Sequence, residues 1–390
     1  MATTLQVAPA LEKPIAKPIA TRGFTAFWKA LTITLGLRIL YSIFAAVLSP
    51  GLRLDPNLIH SNRLTDQLMS RVSHPLLYAL LGVWQRFDTL WYIRISRRGY
   101  DDPMATVFYP LYPMLIRALS LITHSELAAA LFLSTAGSFF LFWGALRLFE
   151  LDYSPAVAFR SLLLWVAWPA SFAFFAGYPD SLLLALTIWA IYFARFGRWL
   201  PAGTLGLLAG LTKAVGCLTV LPLLWIMWKR RDRRGVIPAG LCVTGVACFQ
   251  AWLAIRHFPS AAQVYRTYWA TATVAPWTSV SDAVWSLAHG GNLMLVLNTG
   301  VFVIVGAAAL MHPVRFEYKI YALAAMCLFL TKHTEPLLQS TTRYSLAVFA
   351  AYPALAARFG PVLPYVALLL VAAALNLMLF RAFLDWGLVI

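Results

Sequence analysis

The chain has 390 residues, 61% of them hydrophobic and only 12% charged. A soluble domain is about half apolar and about a quarter charged, so this composition, with a mean hydropathy of +0.73, excludes a water-soluble enzyme and a disordered chain. The net charge of +16 would suggest nucleic acid in a soluble protein; in a membrane protein, basic residues meet anionic headgroups and set orientation, so membrane lipid is expected as a partner and nucleic acid is not.

Residues 1–23, rich in Ala, Pro, Thr and Lys without periodicity, read as a flexible cytoplasmic tail. Residues 24–390 read as a single membrane domain. A spanning helix needs about 20 apolar residues, fewer where it is short or broken. Spans are expected near 26–48, 126–148, 157–176, 180–196, 201–212, 214–228, 236–256, 293–311, 319–332, 343–358 and 361–380, about eleven in all. The 201–228 stretch reads either as two short half-helices around Thr212 and Lys213 or as one long span. The fold class is therefore all-α, a polytopic transmembrane bundle. Cys217, Cys242, Cys248 and Cys327 lie in apolar stretches without CxxC spacing and read as small hydrophobes.

Short basic loops set the orientation. Lys13, Lys17, Arg22 and Lys29 precede the first span, and Lys229, Arg230, Arg231, Arg233 and Arg234 form the densest short group. Arg195 and Arg198 lie in one tight turn, Arg315 and Lys319 in another. The positive-inside rule assigns all of these to the cytoplasm. That leaves 49–125, 257–292, 333–342 and the breaks at 178–180 and 212–213 on the extracytoplasmic side. Loop 49–125 is itself rich in Arg, but long loops translocate largely regardless of charge. Its apolar, Pro-broken segment 107–122 reads as a helix at the outer membrane surface; as a span it would reverse the side of every later loop. Arg38, within the first span, is expected to snorkel or pair. Tyr265, Tyr268, Trp269, Trp277 and Trp285 read either as an interfacial belt or as a sugar platform.

The segment Gln85-Arg86-Phe87-Asp88-Thr89-Leu90-Trp91-Tyr92 carries the most chemistry. A helix is expected from about 89 to 98, closed by Gly99, with Arg94, Arg97 and Arg98 in its last turn. Asp88 has two readings. It caps that helix while the arginines complement the dipole and lipid phosphates, or it is a general base beside Arg that holds an anionic substrate. Asp180 likewise reads as a helix cap or a site residue. Arg343-Tyr344 reads as an interfacial anchor or a site pair. Lys213, between two apolar runs, is costly unless solvated or paired.

Arg86-Phe87-Asp88-Thr89-Leu90-Trp91-Tyr92, Gly99-Tyr100 and Phe108-Tyr109-Pro110-Leu111-Tyr112-Pro113, in this order, resemble the pattern of the PIG-V-type GPI mannosyltransferases. That family lies within the GT-C superfamily of polyprenyl-phosphate-sugar-dependent glycosyltransferases. The likeness continues through Pro169-Ala170-Ser171-Phe172, Gly177-Tyr178-Pro179-Asp180-Ser181-Leu182, Ala209-Gly210-Leu211-Thr212-Lys213 and Arg343-Tyr344. Phe87 stands where the family has Trp, Asp180 where Glu is common, and Lys213 where Arg is usual. The last change loses a bidentate phosphate contact.

The resemblance implies a GT-C-like bundle whose loop 49–125 carries surface helices and the catalytic residues. It implies Asp88 as the base that deprotonates the acceptor, with Asp180 supporting it. Lys213 and Arg343 would contact the donor phosphate, and Tyr178 and Tyr344 the sugar or lipid. Arg86, Trp91, Tyr92, Arg94, Tyr109 and Tyr112 complete the expected substrate-binding set. The donor would be a polyprenyl-phosphate sugar, with mannose the first expectation, and the acceptor a glycolipid or glycan. No cofactor is expected, and no catalytic metal, since no Asp-x-Asp occurs. A short chain without lumenal insertions points to a bacterial inner membrane. Two rival readings are a transporter or lipid flippase and a non-catalytic scaffold of a surface-glycan pathway.

Overall fold

The computed structural model describes residues 20–52, 69, 71–311, 313–360 and 362–387. Most of the expected tail and residues 53–68 and 70 of the first loop lie outside the described residues. The tail boundary moves: residues 20–23 already belong to helix α1 (Ala20–Leu48).

The first loop then supplies α2 (Pro75–Leu80), α3 (Asp88–Arg98) and α4 (Leu111–Thr123). The bundle follows with α5 (Glu126–Phe149), α6 (Pro155–Ala167), α7 (Asp180–Arg195), α8 (Trp199–Thr212), α9 (Val220–Arg230) and α10 (Val236–Ile255). After it come α11 (Ala261–Tyr268), α12 (Pro276–Ala288), α13 (Leu293–Leu310), α14 (Phe316–Leu330), α15 (Thr341–Tyr344), α16 (Ala351–Arg358) and α17 (Val362–Leu384). Among the described residues the one sheet is a two-stranded antiparallel ladder, β1 (Thr271–Thr273) on β2 (Lys332–Thr334), with Thr273 opposite Lys332. The protein is thus a helical one, and among the described residues five helices are long and apolar enough to cross a membrane: Gly23–Gly51, Glu126–Phe149, Arg233–Ile255, Leu293–Leu310 and Val362–Leu384. Helix α4, at 13 residues, reaches about 20 Å, short of a hydrocarbon core of about 30 Å.

Three expected spans, 157–176, 214–228 and 343–358, are not single helices. Helix α6 stops because Trp168 is extended ahead of Pro169, and the chain resumes as a 3-10 turn over Ser171–Phe175. Arg38 meets that break: its Nη1 donates to the Phe175 carbonyl at 2.9 Å, and its guanidinium lies 4.7 Å from the Trp84 ring centre. Lys213 is extended, which ends α8 and turns the chain into the 3-10 segment Ala214–Thr219 before α9. The 343–358 stretch is divided between α15, the 3-10 turn Ser345–Ala347 and α16.

Helices α8 and α10 meet along a seam of small residues. A Cβ on Gly210 would lie 2.7 Å from the Cys242 carbonyl oxygen, and one on Gly245 would run into the Leu207 carbonyl. Such seams let helix backbones approach closely in lipid. Gly210→Leu is therefore expected to force the pair apart at a cost of about 1–3 kcal/mol. A lowered melting temperature in detergent, relative to wild type, checks it.

The ends of the bundle differ. At one end Arg195 holds Asp152 at 2.9 and 3.1 Å and Glu317 at 3.4 Å, while Tyr318 donates to Asp152 at 2.8 Å and Arg315 to Glu317 at 2.6 Å. Arg230 donates to the Arg195 carbonyl at 3.0 Å. This knot gathers the last turns of α7 and α9, the first turn of α14 and the turn after α5. Several of the short basic loops thus share one end. Asp180 begins α7 and so lies at the other, about 22 Å away along the helix.

Candidate functional site

Four sequence-distant charges converge at the end of the bundle opposite the knot. Asp88 is the first residue of α3 and Asp180 the first of α7. Neither is the cap residue proper: Phe87 and Pro179 hold those positions, and neither makes a side-chain capping bond. Both carboxylates instead sit at the positive ends of helix dipoles and face Arg343 from α15. Arg343 Nη1 donates to Asp88 Oδ2 at 2.8 Å; its Nη2 and Nε donate to Asp180 Oδ2 at 2.6 and 3.1 Å. Lys213, just past the end of α8, donates to Asp180 Oδ1 at 3.1 Å.

The group has a floor and a mouth. The Arg343 and Asp180 side chains are 4% and 10% exposed, whereas those of Asp88 and Lys213 are 29% and 24% exposed. Asp88 and Lys213 are therefore what a substrate would meet. Asp88 Oδ2 is held by Arg343, and among the described residues Oδ1 has no hydrogen-bond partner. The arrangement offers an oriented carboxylate beside cations, which is what proton abstraction next to an anionic group requires.

Local sequence fixes the position of Asp88. Phe87 has φ +45° and ψ −120°, a conformation costing a bulky residue about 1–3 kcal/mol. Its ring is clamped by Phe383 and Trp386 at the end of α17. Arg86 secures the same turn: it donates to the carbonyls of Leu384 and Gln85 and to the Tyr78 hydroxyl, and lies 4.4 Å from the Trp386 ring centre. On the other side Thr89 donates to the Ala176 carbonyl at 2.6 Å. Gly177, with φ +69°, lets that strand pass; a Cβ there would lie 3.0 Å from Thr89.

Several residues expected to touch substrate carry framework duties instead. Arg86 is 1% exposed and ties α17 to the loop. Arg94 forms a two-pronged pair with Asp101 at 3.0 and 3.1 Å. Tyr112 is fully buried and donates to the Ala130 carbonyl; Tyr92 packs edge-on against it and against Phe108. Trp91 stacks on Phe108. Tyr178 is fully buried with its ring 4.1 Å beneath the Arg343 guanidinium, so it supports the arginine and is out of reach of a sugar. Trp91, Tyr92 and Tyr112 share one cause: with Phe108 they build an aromatic core within loop 71–125.

Tyr109 is buried against Phe249, and Tyr344 is half-buried next to Arg343. Gln250 donates to the Tyr109 hydroxyl at 3.2 Å, and burial pushes that hydroxyl up to about 12, so it stays a neutral hydrogen-bonding group. Tyr344 stacks on Phe329 and has the Lys213 ammonium 5.4 Å from its ring centre.

Sequence reasoning missed Lys332. It lies on β2, donates to the Tyr265 hydroxyl at 3.1 Å, and sits 5.6 Å from the Tyr344 ring centre. The available signal was a lysine at the very end of the expected span 319–332, next to the loop 333–342 assigned to the same side as Asp88. The aromatics of 257–292 divide between the two readings offered: Tyr265 and Trp269 turn inward, onto Lys332 and Trp91, while Trp277 and Trp285 are exposed. A cavity of about 170 Å³ is lined by Ser286, Asn292, Asn298 and Gln339 among others, and none of the four charges lines it. Asn298 accepts a hydrogen bond from Thr342, the neighbour of Arg343. Among the described residues no group of three or more His, Cys, Asp or Glu is placed to hold a metal ion. Compared with protein families, curated proteins and solved structures, the chain matches none.

Proposed function

We propose that the protein is an integral-membrane inverting glycosyltransferase of GT-C type. It moves a sugar, with mannose the first candidate, from a polyprenyl-phosphate donor to a glycolipid or glycan acceptor on the extracytoplasmic face of a bacterial inner membrane. The observation that carries this reading is the joining of Asp88, Asp180, Lys213 and Arg343 into one linked group, across as many as 255 residues of sequence. The eleven-span topology belongs to the same proposal, with the broken helices counted as spans.

Helix lengths support it. Helices α7, α8 and α14 have 16, 14 and 15 residues, or about 24, 21 and 22 Å. Each falls short of a hydrocarbon core of about 30 Å. We read a site at their ends as a recess open to a lipid-linked substrate.

The chemistry is a single displacement. Asp88 Oδ1 accepts the proton of the acceptor hydroxyl while that oxygen attacks the anomeric carbon. The bond from that carbon to the phosphate oxygen breaks on the opposite face, and the lipid phosphate leaves with the electron pair. Configuration inverts. Lipid phosphate is a good leaving group and needs no acid; a base, a cationic surround and alignment suffice. A transporter would place its ionisable groups near the midplane, between repeated halves. Here Lys213 lies with Asp88 at one end of the bundle, and the Arg195 knot closes the other.

The test is incubation of purified protein with a panel of radiolabelled polyprenyl-phosphate sugars and total membrane lipid. A new labelled glycolipid is expected. Absence of product with every donor, despite an acceptor extract from the native membrane, would overturn the reading.

A further inference from the structure

Arg343, implied as a phosphate contact, already has most of its donors engaged. Three of its N–H groups bind two carboxylates, and its face is covered by Tyr178. Lys213 shares Asp180 with it. Lys332 differs. Among the described residues no carboxylate lies within ion-pair distance of it. Its ammonium donates to Tyr265 and lies 4.5 Å from that ring centre and 5.6 Å from the Tyr344 ring centre. Lys213 lies 5.4 Å from the Tyr344 ring centre. Both ammoniums thus lie near one tyrosine ring, and with Arg343 they make three cations against the carboxylates of Asp88 and Asp180. A half-buried positive charge held between aromatic rings is costly without an anion to face it.

We propose that Lys332 and the Tyr265 hydroxyl form a phosphate-ester subsite beside the Arg343–carboxylate group, with Lys213 the cation shared between the two. The inference rests on the transferase reading and deepens it. A phosphodiester brings one negative charge, which equals the surplus. When the bond from sugar to phosphate breaks, the leaving phosphate gains a second charge, and a lysine without a carboxylate partner stabilises it most. The β1–β2 ladder pins Lys332 opposite Thr273, and His333 beside it reaches Asp282 at 3.0 Å.

The experiment measures melting of the purified full chain in detergent. Wild type, Lys332→Gln, Lys332→Arg, Lys213→Gln and Tyr265→Phe are compared with a polyprenyl phosphate, the matching polyprenol and inorganic phosphate. The polyprenyl phosphate should raise the wild-type melting temperature and the polyprenol should not. Lys332→Gln should weaken the apparent affinity by about tenfold or more, with Lys332→Arg intermediate. Tyr265→Phe, which removes one hydrogen bond and little volume, should weaken it less and serves if Lys332→Gln does not fold. A shift by inorganic phosphate as large as that by the lipid would identify free phosphate as the ligand. A wild-type shift retained in both Lys332→Gln and Tyr265→Phe, an equal shift with polyprenol, or no wild-type shift overturns the subsite. Lys332-dependent binding without transfer from any donor would overturn the transferase reading and leave the subsite standing.

Discussion

Asp88→Asn will fold and will lose turnover by about 100- to 10,000-fold, the usual contribution of a positioned general base. The fold should survive because Arg343 keeps both of its bonds to Asp180, and the Asp88 side chain is already 29% exposed. The amide preserves shape and removes the proton acceptor. Two measurements are needed together: melting in detergent, expected near wild type, and the initial rate of radiolabel transfer. A well-folded Asp88→Asn protein with wild-type turnover would remove Asp88 from the base role and favour a scaffold.

Arg343→Ala should do the opposite, damaging stability first. Its side chain is 4% exposed and is the one cation touching both acids. Taking it away leaves Asp88 and Asp180 facing each other across the space it filled. Breaking a buried ion pair from one side costs about 3–5 kcal/mol, read as a large fall in melting temperature and in yield. Adding Asp180→Asn to Arg343→Ala should recover part of the loss, because it removes the buried charge that was stranded. A double-mutant cycle measures that coupling; strictly additive effects would mean that the two side chains do not depend on each other.

Different parts of the fold were legible to different degrees. The membrane class, the helix ending at Gly99 and the short helix after Pro110 follow from composition, capping and proline, which act locally. The grouping of Asp88, Asp180, Lys213 and Arg343 was expected from the order of motifs, and their contacts are now explicit. The broken course of 343–358 was not legible, because an apolar run carries the same signal whether it is one helix or three short turns. Nor was the division of labour within the motif. Arg86 and Tyr178 look like ligand contacts by residue type, yet one is tied to the end of α17 and the other lies under Arg343. Which way a polar side chain faces depends on packing partners as much as 298 residues away, and no local pattern encodes that. Lys332 was missed for a related reason: two three-residue strands bring it to the site, and runs so short leave no periodicity.

Helices α7 and α14 are anchored twice. Each enters or leaves the Arg195–Asp152–Glu317 knot at one end, through Arg195 and Glu317, and each presents a charge at the other, Asp180 directly and Lys332 just beyond its last turn. A helix advances about 100° per residue, so inserting or deleting one residue between the two anchors would swing one of them out of register. The length of these rods is therefore as constrained as the identity of the charges they carry, and side-chain substitutions along their middles should be tolerated far better than any change in count.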